Sequence, residues 1–155
     1  MEKLYKIEFN ENQLRVIAEA CEFMSRFTSG QLDYFPNSFE SWLWKKYPNV
    51  SEFCERRDKW KEGLLMTKEA LFSDFGRSQG SYAIGSTEQV ESAKTCYDIY
   101  RPILEQFHKD YKEENPDTIV GGVFSHHGIS YSVDGRISIE KVNTRTEKLK
   151  KLTDE

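Results

Sequence analysis

No run of about 18 apolar residues occurs in this 155-residue sequence, and no charged-then-apolar leader or transit segment opens it. The sequence therefore predicts a soluble, cytoplasmic chain that does not enter a membrane. Cysteine is scarce. Cys21, Cys54 and Cys96 stand far apart, so neither a paired zinc ligand set nor a disulfide framework is expected, and each sits among apolar neighbours in a helical pattern, as a reduced core residue does. Basic excess is absent as well: 22 Lys and Arg against 26 Asp and Glu leave a formal charge of −4, which argues against a nucleic-acid binder that works through a strongly basic face. Lys45-Lys46, Arg56-Arg57-Lys59-Lys61 and the stretch from Arg145 to Lys151 are interleaved with acids and read as solvated helix faces. Catalytic signatures are missing too. There is no Glu-x-x-His, no Cys-x-x-Cys and no Gly-x-Ser-x-Gly elbow, so no catalytic residue, metal or cofactor is assigned.

Rings are plentiful. The chain holds 3 tryptophans, 8 tyrosines and 10 phenylalanines in a sequence only 37% apolar, so aromatic side chains must supply much of the core. The length fits one domain that buries roughly 68–70% of its unfolded surface. Residues 3–9 alternate, with Tyr5, Ile7 and Phe9 on one face of a half-buried strand. A helix follows: Asn10 and Gln13 match a capping box, Leu14, Ile17, Ala18, Cys21, Met24 and Phe27 recur at helical spacing, and Gly30 ends the run.

A short helix capped by Ser38 and stopped at Tyr47-Pro48 is expected next, then a longer one from near Ser51 with a bend or break at Gly63. Ser86 and Gln89 form a second capping-box signature. Val90, Ala93, Tyr97, Tyr100, Leu104, Phe107 and Tyr111 carry that helix onward through a kink at Pro102. At the end of the chain Ile129, Tyr131, Ile137 and Ile139 fit a hairpin around Val133-Asp134-Gly135, with Gly135 left-handed, and 118–124 adds a further strand. The expected fold is α+β: a small antiparallel sheet, made of the N-terminal strand and the C-terminal hairpin, packed against several helices. It forms a single domain over 1–143, with 144–155 a polar tail.

The segment GRSQGSYAIGST places Gly76, Gly80 and Gly85 before a helix start, where unpaired N–H groups and the macrodipole favour an anion. Gly80, four residues, then Gly85-Ser86-Thr87 mimics a P-loop, except that Ser86 stands where that motif requires lysine. Arg77, Ser81, Tyr82, Ser86 and Thr87 are the donors expected there. Arg26 and Arg101 lie beside aromatics, Arg101 after Tyr97 and Tyr100, and such neighbours suit a charged, stackable ligand. The competing reading pairs Arg26 with Glu22, and Arg101 with Asp98 or Glu105. His126 completes the candidate ligand-binding set, although His126-His127-Gly128 reads equally as hydrogen-bonding turn histidines.

Three stretches carry a resemblance together: LYKIEFNENQLRVIAEACEFMSRFTSGQLDYF, SYAIGSTEQVESAKTCYDIYRPILEQF and ISYSVDGRISIEKV, about half the chain. They are similar to a group of small accessory proteins encoded by tailed bacteriophages, a group without an assigned reaction. The resemblance implies a phage accessory protein, in a setting where counter-defence by trapping nucleotide immune signals is one strategy. The expected function is capture, without catalysis, of a small anionic nucleotide-like ligand. The alternatives are inhibition of a host protein through the aromatic region around Phe39, Trp42, Trp44 and Tyr47, and hydrolysis of such nucleotides. A homo-oligomer is expected, because a small domain with few aliphatics often completes a pocket at a subunit boundary.

Overall fold

A computed structural model describes residues 5–32, 34, 36–76, 80–117 and 130–140. Its elements are α1 (Glu11–Thr28), α2 (Asn37–Lys46), α3 (Val50–Leu71) and α4 (Glu91–Glu114). Among the described residues there is no strand and no bridge, so the α+β expectation is corrected to an all-helical fold.

The caps of α1 form as the sequence predicts. Asn10 Oδ1 accepts the Gln13 N–H and Gln13 Oε1 accepts the Asn10 N–H, both at 2.9 Å. At the other end Gly30 turns to φ +81°, while Gln31 N–H reaches Arg26 O at 2.8 Å and Gly30 N–H reaches Phe27 O at 3.1 Å. These are the two bonds of a Schellman ending. Asn49 caps α3 by accepting from Ser51 and Glu52 N–H, and α3 runs unbroken through Gly63. Pro102 likewise lies inside a continuous α4. Two starts differ from expectation. Helix α2 begins at Asn37 behind Pro36, without a side-chain cap, and Ser38 N–H goes to Glu19 instead. Helix α4 begins at Glu91 rather than after Ser86.

The core lies between α1 and α4. Ala18, Tyr100 and Ile103 are buried there, with Leu14, Ile17, Cys21, Leu104 and Phe107 packed around them. Helices α2 and α3 pair separately. Phe72, just past α3, joins the two halves: its ring lies 3.5 Å from where a Cβ on Gly30 would stand, and it meets the Tyr82 ring at 6.3 Å. The Lys68 side chain is buried and donates to Gly80 O at 2.5 Å, tying the end of α3 to the segment that leads to α4.

The segments expected as sheet behave otherwise for a physical reason. Backbone N–H groups need acceptors, and a strand without a neighbour supplies none. Among the described residues, 5–9 have no ladder partner, and Tyr5 and Ile7 are exposed. Around Gly135, left-handed at φ +78° as expected, no ladder forms among the described residues. Tyr131 and Ser132 donate their N–H groups to the Asp98 carboxylate, Ile137 N–H goes to Asp98 O, and Ile139 packs on the α1/α4 core. The expected strand 118–124, Ile129 and the tail 144–155 lie outside the described residues. No helix among the described residues is long and apolar enough to cross a membrane.

Candidate functional site

The residues expected to hold an anion fall into separate groups. Arg77 and His126 lie outside the described residues. Ser86 sits in a turn of its own: its N–H reaches Ala83 O at 2.9 Å, and its hydroxyl accepts the Glu88 N–H at 3.1 Å. Thr87 is exposed beside it. The start of α4 comes later, and Glu91 there accepts the Val133 N–H at 2.8 Å and meets Lys94 at 3.7 Å. An anion approaching that helix end therefore meets the carboxylates of Glu88 and Glu91, which oppose the pull of the macrodipole. Gly85 has a packing role, since a Cβ on it would stand 3.3 Å from the Tyr131 ring.

Arg26 and Ser81 are brought together through Gln31. Arg26 Nη1 donates to Gln31 Oε1 at 2.8 Å, and Gln31 Nε2 donates to Ser81 Oγ at 3.3 Å. The same guanidinium binds Glu22 through Nε and Nη2, each at 2.9 Å, and lies over the Tyr34 ring at 4.6 Å. The i−4 pairing that competed with ligand binding is thus formed. Tyr82 donates its hydroxyl to Asp74 at 3.1 Å, and that bond, with burial and the two nearby carboxylates of Asp74 and Glu88, moves the phenol above its usual range.

Tyr97 and Arg101 also meet, with the guanidinium 5.6 Å from the ring centroid. Tyr97 packs edge-on against Tyr100 and Tyr131, both at 5.3 Å. Asp98 accepts from residues 130–132, and Glu105 accepts from Arg136 at 2.8 Å. Tyr100 is buried between these groups. Desolvation above all, then the Glu22 charge, raises its phenol beyond the ordinary tyrosine range, against the opposing pull of Arg26 and Arg101. Tyr97 thus packs on the buried Tyr100 ring, and the charges of Arg26 and Arg101 act on its phenol.

A cavity lies elsewhere, between α1, α2 and α3. It measures about 330 Å³ and is lined by Val16, Glu19, Ala20 and Phe23 of α1, by Pro36, Ser38 and Phe39 at the start of α2, and by Trp60 of α3. Phe39 meets the Trp60 ring at 5.8 Å and stacks on Trp42 at 5.2 Å, so the ring surface continues from the cavity onto α2. Trp42 is 49% exposed. Trp44, on another side of α2, turns its ring edge to Phe53 at 5.0 Å. Glu19 and Ser38 are the polar members of the wall, joined by the Ser38 N–H to Glu19 Oε1 bond at 2.6 Å. The size and lining are those of a site that takes an apolar group and orients it with one polar contact.

Sequence reasoning marked Phe39 and Trp42, and Phe23 only as an aromatic neighbour of Arg26, but gave Val16, Glu19, Ala20 and Trp60 no part in a site. A signal was present. Val16, Ala20 and Phe23 form a second apolar stripe on α1, beside the Leu14, Ile17, Ala18 and Cys21 stripe that packs on α4. Among the described residues no group of three His, Cys, Asp or Glu is placed to hold a metal ion. Comparison with protein-family models, curated proteins and solved structures finds no match for the chain.

Proposed function

We propose that the chain is a non-enzymatic interaction protein that docks a partner protein on the aromatic face formed by Trp42, Phe39 and the adjoining cavity. In the setting that the phage resemblance implies, the partner is a host factor and docking blocks it. The observation that carries this reading is the exposure of Trp42 at 49% while it stacks on Phe39, a wall of the 330 Å³ cavity. Val16, at 67% exposed, extends the apolar surface on the α1 side. Contiguous apolar surface beside a concavity marks an interaction site, and buried tryptophans are the commonest anchors of such interfaces.

Capture of a nucleotide-like anion has less support. The hydroxyl of Ser86 is engaged in its own turn, the start of α4 is flanked by Glu88 and Glu91, and Arg26 is held by Glu22 and Gln31.

The test is affinity capture from host lysate, followed by reconstitution with the identified partner in purified form. Wild type should bind it stoichiometrically, and Trp42→Ala should lose at least about tenfold in affinity, as expected for an anchor ring. Undiminished binding by Trp42→Ala, or binding of adenine nucleotides or ADP-ribose in calorimetry, would displace the docking reading.

A further inference from the structure

We infer that the cavity between α1, α2 and α3 receives an organic cation: an ammonium or guanidinium group carried on an apolar stem. Taken with the docking reading, on which this part rests, that group is a lysine or arginine side chain of the partner protein.

Four glutamates on α1 and α3 pair with a base one turn later: Glu11 with Arg15, Glu22 with Arg26, Glu52 with Arg56 and Glu55 with Lys59. Glu19 has no base there, because the residue four positions on is Phe23, another wall of the cavity. The base four positions before it, Arg15, is bound to Glu11 and lies over the Phe107 ring at 4.4 Å. Among the described residues no lysine or arginine pairs with Glu19, and its Oε1 is taken only by the Ser38 N–H. A carboxylate thus stands in an apolar wall, held at the start of α2 by the Ser38 N–H and, among the described residues, without a lysine or arginine partner.

The rest of the wall has matching chemistry. Phe23, Phe39 and Trp60 line the same space, and the negative faces of aromatic rings attract a cation as a carboxylate does. The aliphatic stem of a lysine or arginine is itself apolar and packs well against rings while its head reaches a polar group. An anionic guest would be repelled by the Glu19 charge, whereas a cationic head gains an attraction to it that a neutral guest lacks. The volume of about 330 Å³ admits a whole long side chain or an arylalkyl ammonium.

The test needs no partner. Phenethylammonium and its neutral counterpart 2-phenylethanol are titrated into the isotope-labelled full chain, and the Trp60 indole and the Ala20 and Phe39 amides are followed by NMR. The cation should bind about tenfold tighter than the alcohol, a preference set by ring and carboxylate together. Glu19→Gln, which keeps an acceptor for the Ser38 N–H, should remove the preference while leaving the alcohol's affinity unchanged. Ala20→Leu, an exposed helix position that narrows the cavity, should weaken both probes alike.

Equal binding of the two probes to wild type, a preference that persists in Glu19→Gln, or shifts confined to residues outside the cavity would each overturn the inference. A Glu19-dependent preference in a chain whose Trp42→Ala variant still binds its partner would leave the cation site standing and remove the docking reading instead.

Discussion

Asp98 holds Ser132 twice: the backbone N–H and the hydroxyl of Ser132 both reach the Asp98 Oδ2 atom at 2.8 Å. The same carboxylate accepts the Tyr131 N–H at 2.9 Å and the Ser130 hydroxyl at 2.8 Å, and its residue is fully buried. A side chain on α4 thus serves residues 130–132 as a neighbouring strand would. Burial by itself would raise this carboxyl, but the hydrogen bonds from Ser132, Ser130 and Tyr131 outweigh it and hold the group below its ordinary value.

Replacing Asp98 with alanine strands two backbone donors and two hydroxyls, at a cost of about 2–4 kcal/mol in urea unfolding. Hydrogen exchange at the Tyr131 and Ser132 amides should accelerate in step. The pH dependence follows from the sign of the shift. A carboxyl depressed in the folded state adds stability above its unfolded value and loses it as pH falls through the folded value. The stability gap between wild type and Asp98→Asn should therefore be flat at neutral pH and close below about pH 4. A gap that does not change with acid would mean that the charged form is not what holds the segment.

Cys21 should be a slow thiol. Burial above all, and then its neighbour Cys96, push it up to about 11, so at pH 8 its thiolate fraction is roughly two orders of magnitude below that of an ordinary cysteine. Iodoacetamide followed by peptide mass spectrometry is expected to mark Cys21 far more slowly in the native chain than in the urea-unfolded one. Equal labelling in the two states would show the thiol to be open to solvent.

Tyr34 reports on the same end of α1. Burial first, then the charge of Glu22 and the hydroxyl bond to it at 3.1 Å, push its phenol up to about 12. A raised acid stabilises the fold below the unfolded tyrosine value near 10 and loses that contribution as pH rises toward the folded value. Tyr34→Phe is expected to cost about 1 kcal/mol at pH 8, from the lost bond, and progressively less from pH 10 upward. A cost that is independent of pH would locate the effect in packing rather than in the hydroxyl.

What the sequence discloses here depends on how local the cause is. The capping box at Asn10 and Gln13 involves side chains three residues apart, and the Gly30 ending is encoded in one residue, so both are legible. The hairpin was not. Alternation from 129 to 139 reports which side chains favour burial, but it is silent on an acceptor 33 or 34 residues earlier in the chain. The start of α4 moved for a similar reason: Gln89, expected to close a box on Ser86, is buried with its amide donated to the Ser29 hydroxyl. The cavity needed three helices to be placed before Val16, Ala20 and Phe23 acquired a meaning distinct from core.

Two glycines separate backbone need from mere tolerance. Gly30 ends α1 at φ +81°, a conformation that costs an L-residue about 1–2 kcal/mol, although a Cβ there would meet the Phe72 ring only at ordinary contact distance, 3.5 Å. Gly63 lies within α3, and a Cβ on it would meet nothing within 4 Å. Gly30→Ala should therefore destabilise by about 1–2 kcal/mol through strain, whereas Gly63→Ala should stabilise by up to about 1 kcal/mol through helix propensity. Thermal unfolding of both variants is expected to move the midpoint in opposite directions. A gain from Gly30→Ala would mean that α1 does not end in the left-handed turn, and with it the placement of Gln31 beside Arg26 would fail.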